Sequence, residues 1–266
     1  MPLLRACTRR GIWRVAAAAV GVLSAAGSRA FAKDDDNHGS HRNLHLGRDE
    51  GGPQSLSCFL RGTRIATASG ARPVDELQIG EHVSTIAGPK PIKWIGYRRF
   101  RRDPGKRWVA GVLPVCIARD AVARDTPQRD VYLSPAHRLF LDNVLIAAEY
   151  LVNDASIRRA LPQETDVIEY YHIELATHEV IFAEGLPVES YIGSDRENFS
   201  NFTQFERLYG SESHSQKTPC APTVGYYGGR DELKGLLKSA VSPLIDIRDP
   251  VQIAWDRIAL RARELL

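Results

Sequence analysis

Cys58, Ser134, His137 and His178 are the residues whose types and spacing offer chemistry. Cys58 ends a long polar run and stands one residue before the first β-pattern, with the small Ser57 ahead of it. A cysteine that opens a folded domain has its own preceding carbonyl, here that of Ser57, within reach of its sulfur. Where the fold bends that bond back, attack by the thiol gives a thioester through an N-to-S acyl shift. This is intramolecular nucleophilic catalysis, with proximity supplying much of the acceleration. The amide nitrogen is a poor leaving group unless protonated, so a general acid must stand beside it, and histidine suits that role near neutral pH. Ser134-Pro135-Ala136-His137 offers one, since a hydroxyl and an imidazole three residues apart at a strand-turn can approach one amide from two sides. A second histidine, His178, lies in ELATHEVIFAEGLPVES. On residue type alone, Cys58 reads equally as a small buried hydrophobe, and Ser134 with His137 as a hydrogen-bonded turn.

The elements that must position these groups are short and β-rich. From Cys58 onward, β-branched and aromatic runs alternate with turn residues. TRIATA (63–68) is followed by a turn, and EHVSTIAG (81–88) with PIKWIGYRRF (91–100) reads as a hairpin around Gly88-Pro89. PVCIAR (114–119), DVYLS (130–134) and HRLFLDNVLI (137–146) follow, then a short helix-like AAEYLVND (147–154). Residues 170–191 read as two strands around a tight turn near Ala176-Thr177. Many short strands with few helical patterns predict a mainly β domain over residues 58–192. Residues 193–266 read as a loop-rich and then helical C-terminal extension, with helices over 231–241 and 249–266. The last has Asp249, Pro250 and Gln252 in a capping-box pattern and an apolar stripe of Val251, Trp255, Ile258, Ala262 and Leu265, a face for packing on the β domain.

The N-terminal part has a different texture. Arg5, Arg9, Arg10 and Arg14 precede a short apolar run (15–27) and an A-x-A-like end at Ala30-Phe31-Ala32, so residues 1–32 read as an export signal. Residues 8–14 also resemble a twin-arginine signal, which implies a bacterium and an exported, periplasmic or extracellular product. Residues 33–57 are polar and nearly free of large apolar groups, the composition of a flexible linker. Its His38, His41 and His45 read as solvated side chains, so no metal or other cofactor is expected. No apolar run is long enough for a stable membrane span. The net charge of +3 carries no basic stripe interleaved with aromatics, which argues against a nucleic-acid partner. Export would remove Cys7 and leave Cys58, Cys116 and Cys220, an odd number that favours one cysteine with a chemical role. Cys116, mid-strand, reads as core packing or a disulfide partner.

Taken together, Cys58-FLRGTRIATASG, VDELQIGEHVSTIAG, LSPAHRLFL and HIELATHEVIFAEGLPVESY resemble, in that order, a Hint domain. This is the horseshoe-like all-β domain of hedgehog autoprocessing regions, inteins and bacterial intein-like proteins. The resemblance implies that Cys58 is the nucleophile, that His137 polarises the scissile amide with Ser134 in the place of a threonine, and that His178 is the histidine of the late block. His172 stands where inteins often carry an aspartate. The end of the match reads Val188-Glu189-Ser190-Tyr191, where splicing inteins have His-Asn; without that asparagine, full splicing is not expected.

The expected function is therefore single-turnover self-cleavage of the Ser57–Cys58 bond. The chain's own N-terminal segment is the substrate, and water or a thiol is the acceptor of the acyl group. The alternative is a secreted Hint-fold binding or surface module without self-cleavage. A cysteine hydrolase acting on a separate substrate through Cys58 and His137 ranks third, because the flanking signatures of papain-like and caspase-like proteases are missing.

Overall fold

The computed structural model describes residues 57–193, 195–210, 212, 215–224 and 250–265. The export signal, the linker before Ser57, the helix expected over 231–241 and the Asp249 cap lie outside the described residues.

Fourteen strands form one continuous hydrogen-bonded sheet system. In chain order they are β1 (Phe59–Leu60), β2 (Arg64–Thr67), β3 (Gly70–Pro73), β4 (His82–Val83), β5 (Lys90–Arg101), β6 (Val115–Ile117) and β7 (Val131–Leu133). These are followed by β8 (Arg138–Leu141), β9 (Val144–Ala147), β10 (Ile157–Arg159), β11 (Val167–Leu175), β12 (Val180–Ala183), β13 (Leu186–Glu189) and β14 (Thr223–Val224). Spatially the order runs β10-β6-β7-β1-β11-β5-β4-β2-β12-β13-β8-β9-β14, with β3 paired to β2. The path is open and does not close into a barrel. β5 joins the two halves: Lys90 and Pro91 pair with β4, and the rest of the strand pairs with β11. A mainly β architecture, an open sheet with helices in its C-terminal extension, is thus the fold of the described residues.

Two hairpins carry the most information about the site, and each turns on two residues with positive φ. Asp142 (φ 49°) and Asn143 (φ 66°) connect β8 to β9, and Glu184 (φ 49°) and Gly185 (φ 80°) connect β12 to β13. Left-handed backbone at both central positions gives the turn sense that matches strand twist, and Asp, Asn and Gly tolerate it best. Glu184 is the least tolerant of the four, and it is tied down. Its backbone N–H donates to the Arg64 carbonyl at 2.8 Å, and its carboxylate accepts the Arg64 N–H at 2.8 Å. The hairpin around Gly88 forms as expected, with His82 opposite Pro91. The two-strand reading of residues 170–191 does not hold. β11 pairs with β5 and β1, while β12 pairs with β13 and β2, so three strands lie where two were expected. The pattern hid this because Glu184-Gly185 is a tight two-residue turn inside a continuous apolar run.

The C-terminal extension packs on the sheet at two places. The helix Phe202–Tyr209 buries Phe205, which meets the Trp94 indole edge-on at a centroid distance of 5.2 Å. Phe199 lies against β5 at Gly96, where a Cβ would come within 2.7 Å of the ring. The terminal helix, Pro250–Glu264, buries Ala254 and Ile258 in the main core and also buries Ala262, and Trp255 Nε1 donates to the Val152 carbonyl at 3.0 Å. Its buried stripe thus includes Ala254, and Leu265 is left exposed. The Gln252 side chain donates to Asp256 at 2.8 Å.

Candidate active site

β1 is only two residues long, yet it sits between β7 and β11, with Phe59 opposite both Leu133 and Tyr171. Cys58 immediately precedes it, so two ladders fix where the thiol enters the sheet. Ser134, just past the end of β7, grips Cys58 from both sides of its backbone. The Cys58 N–H donates to Ser134 Oγ at 2.6 Å, and the Ser134 N–H donates to the Cys58 carbonyl at 2.9 Å. The first of these is a contact to the nitrogen of the Ser57–Cys58 bond. Ser57 is itself held by its hydroxyl, which donates to the Ala136 carbonyl at 3.3 Å.

His137 follows one turn later, its N–H donating to the Ser134 carbonyl at 3.0 Å. Its ring packs on Phe59 at 4.4 Å, and His172 on β11 meets it edge-on at 5.1 Å. Tyr191 then meets His172 at 5.0 Å. Both rings are fully buried, and no ring nitrogen of His137 or His172 has a hydrogen-bond partner. Burial therefore dominates their titration. It lowers the pKa of His137 to about 4, although Glu189 and the backbones of Glu189 and Cys58 favour its charged form. Burial, followed by His137 and His178, pushes His172 well below the usual imidazole value. Both histidines are neutral at neutral pH. The Cys58 thiol is pushed well up, by burial first and then by Asp195, with Arg98 opposing. The thiol is thus protonated, and the His137 imidazole is neutral.

Glu189, at the end of β13, is the carboxylate beneath this group. Arg138 donates to both of its oxygens, at 3.2 and 3.0 Å, and the Arg138 N–H adds a third contact at 3.1 Å. His178 Nε2 lies 3.5 Å from its Oε2. Burial works against the Glu189 charge, but His178 and Arg138 outweigh it and hold its pKa below the usual range. On the other side of His178, Nδ1 accepts the backbone N–H of Cys220 at 3.0 Å. Burial opposes a charge on His178, while Cys220 and Glu189 together raise its pKa to about 9. The Cys220 N–H nevertheless decides the resting tautomer. Nδ1 is bare, the proton is on Nε2, and a second proton must displace residue 220.

The five residues singled out from the sequence thus fall into two groups. Cys58, Ser134, His137 and His172 form one cluster at the start of β1, and His178 lies apart from it across Glu189. A pocket of about 260 Å³ opens at Ser57, walled also by Ala136, Arg138, His172, Glu189 and Tyr191 and by Gln216, Pro219 and Thr223 of the extension. Glu189, Arg138, Asp195 and Arg98 were not singled out. Glu189 stood in the sequence only as part of the match's closing motif, one charged residue ending an otherwise apolar strand. Cys116 is buried in β6, and all three described cysteines are free, so the disulfide reading of Cys116 is not met among them. His82 is exposed at the strand surface, and Trp94 is a core aromatic, as its packing against Phe199 and Phe205 shows. Among the described residues there is no cluster able to hold a metal ion and no helix long and apolar enough to cross a membrane.

These features define the class. The sequence profile of the Hint domain matches residues 57–195, just over half of the chain, and the chain belongs to the Hint-domain family, whose fold is that of an autoprocessing-type domain. The structure is similar to the gp41-1 intein at 13% identity, covering 50% of this chain and 98% of that one with a TM-score of 0.34. It is also similar to a DnaB intein from Synechocystis sp. PCC 6803, at 11% identity, covering 52% of this chain and 100% of that one with a TM-score of 0.34. A bacterial intein-like domain from Clostridium thermocellum matches at 10% identity, covering 52% of this chain and 100% of that one with a TM-score of 0.31. No curated protein matches the sequence.

Proposed function

We propose that the chain cleaves its own Ser57–Cys58 bond by an N-to-S acyl shift, after which the thioester is released to a nucleophile without splicing. The observation that carries this reading is the 2.6 Å contact from the Cys58 N–H to Ser134 Oγ, made at the bond that would break. In this scheme neutral His137 takes the Cys58 thiol proton, and the sulfur attacks the Ser57 carbonyl carbon. The C–N bond then breaks, and the proton held by His137 passes to the departing nitrogen of Cys58. While that nitrogen carries the added proton in the tetrahedral intermediate it is cationic and its N–H groups donate more strongly, so the bond to Ser134 Oγ tightens there. Interactions that strengthen in this way lower the barrier and do not merely hold the ground state. Carrying His137 neutral lets one group act first as base and then as acid. The product is a thioester of Ser57 and a free N-terminal amine on Cys58.

The reading stops at the thioester because Val188-Glu189-Ser190-Tyr191 offers no asparagine to cyclise. We place the reaction in an exported protein, on the strength of the basic and apolar pattern of residues 1–32. A reporter domain fused ahead of the full chain tests the reading. Incubation with a small thiol should release the reporter, leaving a product whose first residue is Cys58. Persistence of the intact fusion in thiol, at a temperature where the protein is folded, would reject it.

A further inference from the structure

Glu189 is a buried carboxylate to which the cleavage scheme gives no part. It ends the otherwise apolar strand β13 and is 1% exposed. A carboxylate charge at that depth is costly unless it is met, and β8 meets it. β13 pairs with β8 in antiparallel register, Val188 opposite Leu139, which brings residue 189 opposite residue 138. The Arg138 guanidinium donates to the two Glu189 oxygens at 3.2 and 3.0 Å, and the Arg138 N–H donates to Oε1 at 3.1 Å. That backbone contact ties the carboxylate to the peptide unit that joins His137 to Arg138. His137 is fixed on both sides of its own backbone, since its N–H donates to the Ser134 carbonyl at 3.0 Å and its carbonyl accepts the Ala148 N–H at 2.9 Å. Glu189 also walls the pocket that opens at Ser57. His137 is faced by Cys58 ahead of β1, Arg138 on β8, His172 on β11 and Glu189 on β13, with His178 beyond Glu189. Among these groups Glu189 alone carries negative charge. Burial is the largest influence on His137 and disfavours its cation; Glu189 comes next and favours it, while Arg138 opposes. Asp195 and Arg98 act on the Cys58 side.

We propose that Glu189 is the counter-charge of the reaction, the group that stabilises His137 while it holds the Cys58 proton. The inference rests on the cleavage reading above and adds a residue to it. When His137 takes the thiol proton, a thiolate and an imidazolium form in a place closed to water. Such a pair is costly at low dielectric unless fixed charges already surround it. Glu189 itself takes no proton. Arg138 and His178 hold it ionised before the reaction starts, so it has little to rearrange as His137 becomes positive. When the proton passes on to the departing nitrogen of Cys58, His137 returns to neutral and the attraction ends with it. Arg138 has a double part: it fixes the carboxylate, yet its own charge repels the imidazolium. Glu189 acts through His137 and so is a positioning residue.

The test is single-turnover release of a reporter fused ahead of the full chain, at neutral pH and saturating thiol, where thioester formation limits the rate. Each unit lost from the His137 pKa lowers the population of the thiolate–imidazolium pair about tenfold. Glu189→Gln keeps the side-chain shape and removes the negative charge. Release should slow about tenfold or more while the circular dichroism stays that of wild type. Arg138→Gln removes the opposing charge, and release should be as fast as in wild type or faster. A carboxylate that only staples β13 to β8 would give slowing in both variants alike. Where a single variant fails to fold, Glu189→Gln combined with Arg138→Met removes both charges together, and its release should lie below wild type. Wild-type rates from folded Glu189→Gln or from the double variant, or equal slowing in the two single variants, would overturn the proposal and leave the Cys58 chemistry standing. No release in wild type, even with hydroxylamine, would instead reject the cleavage reading itself and this inference with it.

Discussion

Ser134 is the residue through which the backbone at Cys58 is held and, in the proposed reaction, made reactive. Replacing it with alanine removes the Oγ acceptor at the scissile nitrogen but keeps the Ser134 N–H contact to the Cys58 carbonyl. Ser134→Ala should therefore fold and slow single-turnover cleavage by about 10²-fold, the scale of losing one well-placed polar contact at a reacting centre. Rapid-quench measurement of the fragment ending at Ser57 checks this. His137 carries a pH prediction with a definite sign. Its pKa is about 4 when folded against 6.5 when free, so between those values the unfolded chain binds more protons. Stability from its neutral form is present above pH 6.5 and is lost as pH falls toward 4, on the order of 3 kcal/mol from this group. His172 acts in the same direction. Urea midpoints from pH 4 to 8 should therefore fall on the acid side, and His137→Gln should flatten that fall. Ser134 and His137 were legible in the sequence because a hydroxyl and an imidazole three apart share one turn. Glu189 was not, because its partners come from other parts of the chain: Arg138 from β8 and His178 from the loop before β12.

At the scale of elements, the site depends on how the extension closes over the first half of the sheet. Phe199 can lie on β5 only because residue 96 has no side chain. Gly96→Ala would put a Cβ about where the Phe199 ring now is, and overpacking of this kind costs about 1–3 kcal/mol. A lower Tm, with cleavage retained at low temperature, is the expected outcome. The hairpin at Asp142-Asn143 shows why element boundaries were only partly legible. HRLFLDNVLI reads as one run because the turn occupies two residues, and it is their positive φ angles, not their polarity, that split it into β8 and β9. The same holds at Glu184-Gly185. The terminal helix was legible from its period and its proline, while its buried stripe depends on the shape of the surface it meets.

Among the described residues, sheet and extension are tied together by a buried ion pair that no local pattern announces. Arg196 forks onto Glu174 with both contacts at 2.8 Å, and both side chains are fully buried. Lys217 adds a third cationic contact from the segment that carries Cys220. Removing one partner strands a buried charge, which costs about 3–5 kcal/mol. Arg196→Met should accordingly lower the thermal midpoint sharply, and Glu174→Gln with Arg196→Met together should recover part of the loss. A chain ending at residue 192 lacks Arg196, Phe199, Phe205 and Lys217 and leaves Glu174 facing Lys93, 4.0 Å away, in place of its close cations. It is expected to be insoluble or non-cooperative in unfolding, which circular dichroism during heating would show. The order of the four motifs made the fold class legible. The dependence of the β domain on residues 195–217 was not, because it arises from contacts between β11 and a loop-rich tail.

The central claim is that Cys58 attacks the bond before it. Hydroxylamine intercepts a thioester and leaves a hydroxamate on the acyl carbon, whereas an ordinary peptide bond does not react under the same mild conditions. The most direct measurement is therefore the intact mass of the fragments formed when the full chain and its Cys58→Ala variant are incubated with hydroxylamine. The account predicts a fragment ending in the hydroxamate of Ser57 and a partner beginning at Cys58, both missing from the variant. An unchanged full-length mass in the folded wild-type protein, or the same fragments from Cys58→Ala, would contradict it.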